Sequence, residues 1–428
     1  MKPSSLSVLA LALASTVLTA LPASAQQLER GETVLERPRP EVEQLGLRAG
    51  AFRILPRIEA GVTYDSNVFA TESNEKDDLV YVVRPSLAVR SDFNRHALNF
   101  RASMDGGYFN EHSSENFTDY ELQADGRFDY SREGAVSGLV FHRQEHEGRS
   151  DPDFDSTDIG DVNSRAEPVV YSVSGGEVAV TQGFNRFRVR LSGLAQYYDY
   201  DDTKAVGGGS IDQSDRNRWD YATSLRVGYE FIEGYEGFVR GTYNWSRRVD
   251  QFDRRGINRD SDGYEVVAGI ASELTGLITG EIYAGYLSRN YDDPRLKDFD
   301  GLALGGRLTW SVTQLTTVVG SIDRQVREST FERNGQVASS YNRTIFALGV
   351  DHELLRTLLL NARLQYRQDD FNGVDRTDDV YTAGVGASYQ LNRYLYLTGG
   401  YTYETRNSNL SGFGYDDHLV FLRIGAQM

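Results

Sequence analysis

Nine arginines recur at interior positions of a repeating pattern: Arg84, Arg101, Arg188, Arg190, Arg226, Arg240, Arg307, Arg363 and Arg367. Glu59, Asp105, Glu121, Asp125, Glu230, Glu265 and Glu281 stand among them. A guanidinium row binds or steers anions, because its flat fork of N–H donors matches carboxylate and phosphate oxygens. The same row beside carboxylates also makes a structural network that stiffens a wall. Both readings stay open on the sequence. Charges of both signs need water or each other, so the surface carrying them is wet or ion-paired. The arginines with Glu281 form the candidate lining of a polar lumen.

Other chemistry is scarcer. Aspartates cluster in polar stretches: Asp151, Asp153, Asp155, Asp158 and Asp161, then Asp199, Asp201 and Asp202, then Asp292 and Asp293. Alternating aspartates suit calcium, yet the glycine and glutamate an EF-hand needs at its sixth and twelfth positions are missing after Asp151. The stretches read as solvated loops, with divalent cations at most bridging them to lipopolysaccharide. His142 and His146 stand four apart with no third ligand in view, and neither His352 nor His418 sits in a nucleophile motif. A Ser–His hydrolase would need its pair to meet on one face. No catalytic residue, cofactor site or metal site is assigned. Tyr283, Tyr198 and Tyr200 suit stacking on sugar rings, whereas Tyr197 suits a membrane-interface belt.

The elements that position these residues alternate with period two. From Gly237 to Trp245 the odd positions are Gly237, Val239, Gly241, Tyr243 and Trp245, against Phe238, Arg240, Thr242 and Asn244. The alternation returns as Tyr264, Val266, Ala268 and Ile270, turns at Leu274-Thr275-Gly276, and resumes as Ile278, Gly280, Ile282, Ala284 and Tyr286. Period two is β-strand with one apolar face. Arginine and glutamate in mid-strand on the other face exclude a dry sandwich core. Apolar outside with charge inside is the pattern of a transmembrane antiparallel β-barrel.

Short turns near 92–94, 132–134, 183–185, 232–234, 274–276, 313–314, 355–356 and 392–393 alternate with long acidic loops near 68–78, 109–118, 146–164, 199–217, 249–261, 290–298, 328–340, 369–378 and 406–416. That count predicts an up-and-down barrel of about 18 strands over residues 52–428, with both termini on the short-turn side. Sixteen is the alternative, because the pattern is weak around 134–146 and 165–182. Outward rows include Leu98, Phe100, Ala102, Met104 and Tyr108, and Leu358, Leu360, Ala362, Leu364 and Tyr366. The last strand places Val420, Leu422, Ile424, Ala426 and Met428 outward, ending in methionine where the barrel-insertion machinery often reads phenylalanine. An interior this wide leaves a water-filled channel unless something plugs it. No long loop stands out as one folded inward.

Met1-Lys2, the apolar run Leu6–Leu21 and Ala23-Ser24-Ala25 read as a Sec-type signal peptide over residues 1–25. Residues 26–51, with Arg37-Pro38-Arg39-Pro40, lack period two and read as a periplasmic segment that is extended or folds into the mouth as a partial plug. There is no cysteine, the formal net charge is -17, and the chain holds 26 tyrosines and 42 glycines. This acidity argues against nucleic acid as a partner. The tyrosines and glycines suit long strands with aromatic belts.

Thr63-Tyr64-Asp65-Ser66-Asn67-Val68-Phe69, Val83-Arg84-Pro85-Ser86-Leu87 and Asn94-Arg95-His96-Ala97-Leu98 resemble the start of the barrel in the family called putative β-barrel porin 2. The resemblance implies a bacterial outer-membrane barrel in contact with lipid and lipopolysaccharide. It implies two uses. One is an exit conduit for an exported exopolysaccharide, paired with a periplasmic polysaccharide export protein at residues 26–51. The other is a general or selective diffusion porin. A non-conducting structural barrel is the third reading.

Overall fold

A computed structural model of the chain describes residues 32–154, 164–272 and 277–428. The signal peptide, Asp155, Asp158, Asp161 and the Leu274-Thr275-Gly276 turn lie outside the described residues. One antiparallel sheet closes on itself. Its strands are β1 Phe52–Asp65, β2 Asp78–Ser91, β3 Ala97–Phe109, β4 Phe117–Asp129, β5 Gly134–Glu147 and β6 Val169–Phe184. Next come β7 Phe187–Tyr200, β8 Arg218–Ile232, β9 Tyr235–Arg248, β10 Ser261–Ser272, β11 Ile278–Tyr291 and β12 Phe299–Thr313. The wall ends with β13 Thr316–Glu328, β14 Ser340–Leu355, β15 Leu358–Asn372, β16 Thr377–Gln390, β17 Leu395–Ser408 and β18 Tyr415–Gln427.

Each strand pairs with its sequence neighbour, and β1 pairs with β18 from Arg57↔Gln427 to Asp65↔Leu419. Closure leaves no free edge, which is what lets a sheet sit in lipid with its backbone satisfied. The result is the 18-strand barrel that the hairpin rhythm predicts. Leu47–Ala49 adds a short extra arm against β1.

The outward rows are apolar and exposed, with Val62, Leu98, Leu191, Val266, Ile282, Leu364 and Leu422 among them. Tyr64, Tyr81, Tyr108, Tyr243, Tyr286 and Tyr401 stand on the same face toward the long-loop end. Several donate their hydroxyl to an aspartate at the rim: Tyr64 to Asp77 at 3.1 Å, Tyr243 to Asp262 at 2.9 Å and Tyr286 to Asp300 at 2.8 Å. An aromatic ring on lipid with its polar tip in the headgroup layer is what an interfacial belt requires.

The weak pattern at β5 and β6 has a physical cause. The inward residues Val169, Val173 and Ala179 of β6 are buried under other residues, while Val178 and Val180 face out. With both faces apolar, alternation fades. Close packing on the inner wall also fixes Gly425: a Cβ there would lie 1.9 Å from the ring of buried Tyr396, which crosses it to donate to Glu59 at 2.7 Å.

Candidate channel lining and its two obstructions

The inner wall is a lattice of ion pairs. Arg84 meets Asp105 at 2.7 Å, Arg190 meets Glu177 at 3.0 Å and Arg240 meets Glu265 at 3.0 Å. Arg226 bridges Glu236 at 2.8 Å and Glu281 at 2.7 Å, with its guanidinium over the Phe238 ring at 3.7 Å. Arg188 reaches Glu236 at 3.3 Å and is the more exposed partner. Arg363 pairs with Asp351, and Arg367 lies 3.2 Å from Asp369. Arg307 sits directly across the ladder from Glu281, and Arg101 across from Gln123. These pairs support the network reading. A wall with most of these cations tied to carboxylates offers a permeant few unpaired charges.

The aromatic candidates divide. Tyr197 packs on Trp219 at 5.1 Å on the outer face. Tyr198 and Tyr200 face inward, stack with Tyr171 and lie under Arg218 and Arg216 at 3.8 and 4.0 Å. Tyr283 carries Arg240 at 4.4 Å. These faces are already occupied by guanidinium groups, which leaves little room for a sugar.

Among the loop aspartates, Asp293 is occupied too. Asp293 takes Arg295 at 2.8 and 2.5 Å together with the N–H of Asn258, and the Arg295 hydrogen bond holds its carboxyl well below the usual range. Among the described residues no three His, Cys, Asp or Glu side chains gather as a metal site. His142 does meet a serine: Ser174 lies 2.8 Å from its Nδ1 on the outward face, with Tyr120 at 3.3 Å from Nε2. No acid is hydrogen-bonded to that imidazole among the described residues, and the neighbouring strand N–H groups are committed to the ladder. The pair lacks both a carboxylate to orient its base and an oxyanion hole.

The feature that sequence did not reveal is a latch across the long-loop mouth. After β5 the chain folds inward over 148–154 and docks on the far wall. Asp153 accepts from Ser329 Oγ at 2.6 Å and from the Thr330 N–H at 3.2 Å, in the β13–β14 loop. The Pro152 carbonyl accepts from Arg376 at 2.9 Å and the Ser150 carbonyl from Arg406 at 3.2 Å. At the near side Arg149 pairs with Glu115 at 2.7 Å, both buried. Phe154 is buried between Arg149 and Arg165 at 4.9 and 5.6 Å. The hook itself is Arg376, fully buried among Phe331, Phe371 and Phe413 at 4.6, 4.6 and 4.1 Å.

Residues 32–46 dock at the short-turn end. The Val34 N–H donates to Thr317 at 2.7 Å, and Arg39 pairs with Glu353 at 3.3 Å, both nearly buried. Arg37 donates to Ser311 at 3.2 Å. Further along, the Pro40 carbonyl accepts from Arg393 at 3.0 Å and the Gly46 N–H donates to the Met428 carbonyl at 3.1 Å. This strap runs along the inner rim from β13 and β14 to β18.

Asp151 belongs to the latch, and burial, then the charges of Glu147 and Asp153, push its carboxyl up to about 6, with Arg343 opposing them. A raised value means the latched form holds the proton more tightly than the open form. The contribution is therefore full below about pH 4 and lost as pH rises through 6, on the order of 2–3 kcal/mol. Conductance in planar bilayers should be lower at pH 4.5 than at pH 7.5, and Asp151→Asn should flatten that response. An unchanged response in the variant contradicts this assignment.

A closed barrel with an apolar outer band and a charged, paired lumen defines a porin-like transmembrane channel protein of the outer membrane. The chain belongs to the putative beta-barrel porin 2 family, whose model matches residues 39–428. No curated protein matches it. Solved structures similar to it include OpdL of Pseudomonas aeruginosa, at 10% identity and TM-score 0.43, covering 89% of this chain and 99% of that one. OccAB4 of Acinetobacter baumannii is 10% identical at TM-score 0.44, covering 92% and 100%. The siderophore receptor PiuA of the same organism is 9% identical at 0.44, covering 90% and 82%.

Proposed function

We propose that this protein is a diffusion channel for small hydrophilic solutes, narrowed at its outer mouth by residues 148–154 and at its inner mouth by residues 32–46. The observation that carries this reading is the anchoring of the latch on the far wall through Ser150, Pro152 and Asp153. A polymer-wide exit would have to break these contacts along with the buried Arg376 cluster for each strand passed. A constricted pore for small solutes works with them in place. Exopolysaccharide export fits less well for that reason, and a periplasmic export partner is not needed by the diffusion reading.

The test is single-channel recording of the mature protein in planar bilayers, with swelling of proteoliposomes in sugars of increasing size. Small, steady conductance with a sharp size cut-off is expected. Passage of long polysaccharide would favour the conduit, and no conductance in the wild type or in latch-opened variants would leave a structural barrel.

A further inference from the structure

Among the described residues, the wall under the latch holds buried guanidinium donors that no acceptor meets. Arg367 on β15 and Arg406 on β17 lie in one cross-strand row, on either side of Val380 of β16. Arg367 is 8% exposed, Arg406 1% and Val380 0%. Arg406 spends Nε on the Phe413 carbonyl at 2.5 Å and Nη1 on the Ser150 carbonyl at 3.2 Å, over the Tyr415 ring at 4.6 Å. Its buried Nη2 has no hydrogen-bond partner among the described residues. Arg367 has Nε 3.2 Å from Asp369 Oδ2 without hydrogen-bond alignment, and its buried Nη2 is likewise unpartnered.

The carboxylates nearby are already engaged. Asp369 accepts two hydrogen bonds from Arg343, at 2.6 and 3.0 Å. Asp378 serves Arg376 at 2.5 Å. Glu404, two residues along β17 from Arg406, is turned to Thr382 at 2.9 Å and to the Tyr415 hydroxyl. Among the described residues no ion pair joins Arg406 to a carboxylate; two neutral carbonyls hold it instead. Buried charged donors left unpaired are costly, and an oxyanion is a stronger partner for guanidinium than a carbonyl.

We propose that Arg367 and Arg406 form a seat for the carboxylate or phosphate group of a small solute, and that filling the seat unhooks Ser150 from Arg406 and loosens the latch. The inference rests on the channel reading only for its second half. Until an oxyanion arrives, the Ser150 carbonyl stands in for it.

The test uses the full mature chain in detergent, titrated calorimetrically with inorganic phosphate against sodium chloride of equal ionic strength. Saturable binding is expected in the wild type. It should weaken at least about tenfold in Arg367→Gln and in Arg406→Gln, each losing a charged hydrogen bond. It should be unchanged in Arg48→Gln, whose guanidinium is exposed beside Asp92 at the short-turn end, away from the lining. Retained heat-modifiable migration on gels reports that each barrel is folded, and Arg367→Gln alone suffices should Arg406→Gln not fold. No saturable heat in the wild type, or equal binding in the folded variants, overturns the seat. In bilayers, phosphate should raise wild-type conductance and not that of Arg367→Gln. Binding without that rise overturns the unhooking. Binding with no conductance in any variant leaves the seat standing and removes the channel reading.

Discussion

Arg376→Ala should raise single-channel conductance several-fold at neutral pH by freeing the latch. Arg376 has no exposed side-chain surface, and it joins three things at once: Asp378 at 2.5 Å, the Pro152 carbonyl, and three phenylalanine rings from different parts of the outer rim. Removing it leaves Asp378 buried without its ion-pair partner, a cost of about 3–5 kcal/mol for a broken buried pair. Three desolvated cation–π contacts go with it, each worth up to about 2 kcal/mol. The barrel does not depend on these contacts, because its ladder is complete from β1 to β18 without them. The cost therefore falls on the loops 148–154, 329–339 and 409–414, which lose their common anchor. Arg295→Ala is the control. Its pair with Asp293 lies in a loop with the guanidinium largely exposed, and such pairs are worth about 0–1 kcal/mol. A wild-type conductance in a folded Arg376→Ala protein would show that the latch does not limit the pore.

The barrel was legible in the sequence because one rule generates it: a two-residue period repeated through hairpins. Tyr243, Val266, Ile282 and Leu364 mark the lipid face without any knowledge of neighbours. Ion pairs between adjacent strands follow almost as directly, since Arg84 and Asp105 belong to paired strands. Longer reach is not encoded in register. Arg226 of β8 passes over Phe238 of β9 to find Glu281 of β11, two strands further than a ladder argument extends. The latch lay beyond sequence reading for the same reason, made larger. Gly148 to Phe154 has the composition of a solvated acidic loop, and its partners Ser329, Arg376 and Arg406 are 176 to 256 residues away. Its one apolar residue, Phe154, in a run that water alone would not favour, was the available signal. The N-terminal strap is similar. Arg37-Pro38-Arg39-Pro40 is too polar to predict burial, yet Val34 and Arg39 are buried because Thr317 and Glu353 offer matching polar groups, and Gln427 of the last strand donates to the Val42 carbonyl at 3.4 Å.

Arg39→Ala should undock that strap. The variant removes the buried pair with Glu353, whose remaining cation, Arg356, stands 3.7 Å away and is largely exposed. Partial compensation by Arg356 makes the loss smaller than for Arg376, roughly 1–3 kcal/mol. Trypsin is a poor reporter here, because Pro38 and Pro40 follow the two strap arginines and block its cleavage. A glutamyl endoprotease acting after Glu36, Glu41 and Glu43 reads undocking directly, and cleavage should be roughly tenfold faster than in the wild type for a change of that size. Equal cleavage rates would mean the pair does not hold the strap. The electrical readout carries a sharper demand. Latch and strap lie in series along one lumen, so their resistances add, and opening one leaves the other limiting the current. Arg39→Ala alone should therefore raise conductance only modestly, whereas Arg39→Ala combined with Arg376→Ala should exceed the sum of the two separate increases. Simple additivity would place the obstructions on parallel paths and contradict a single lumen narrowed at both ends.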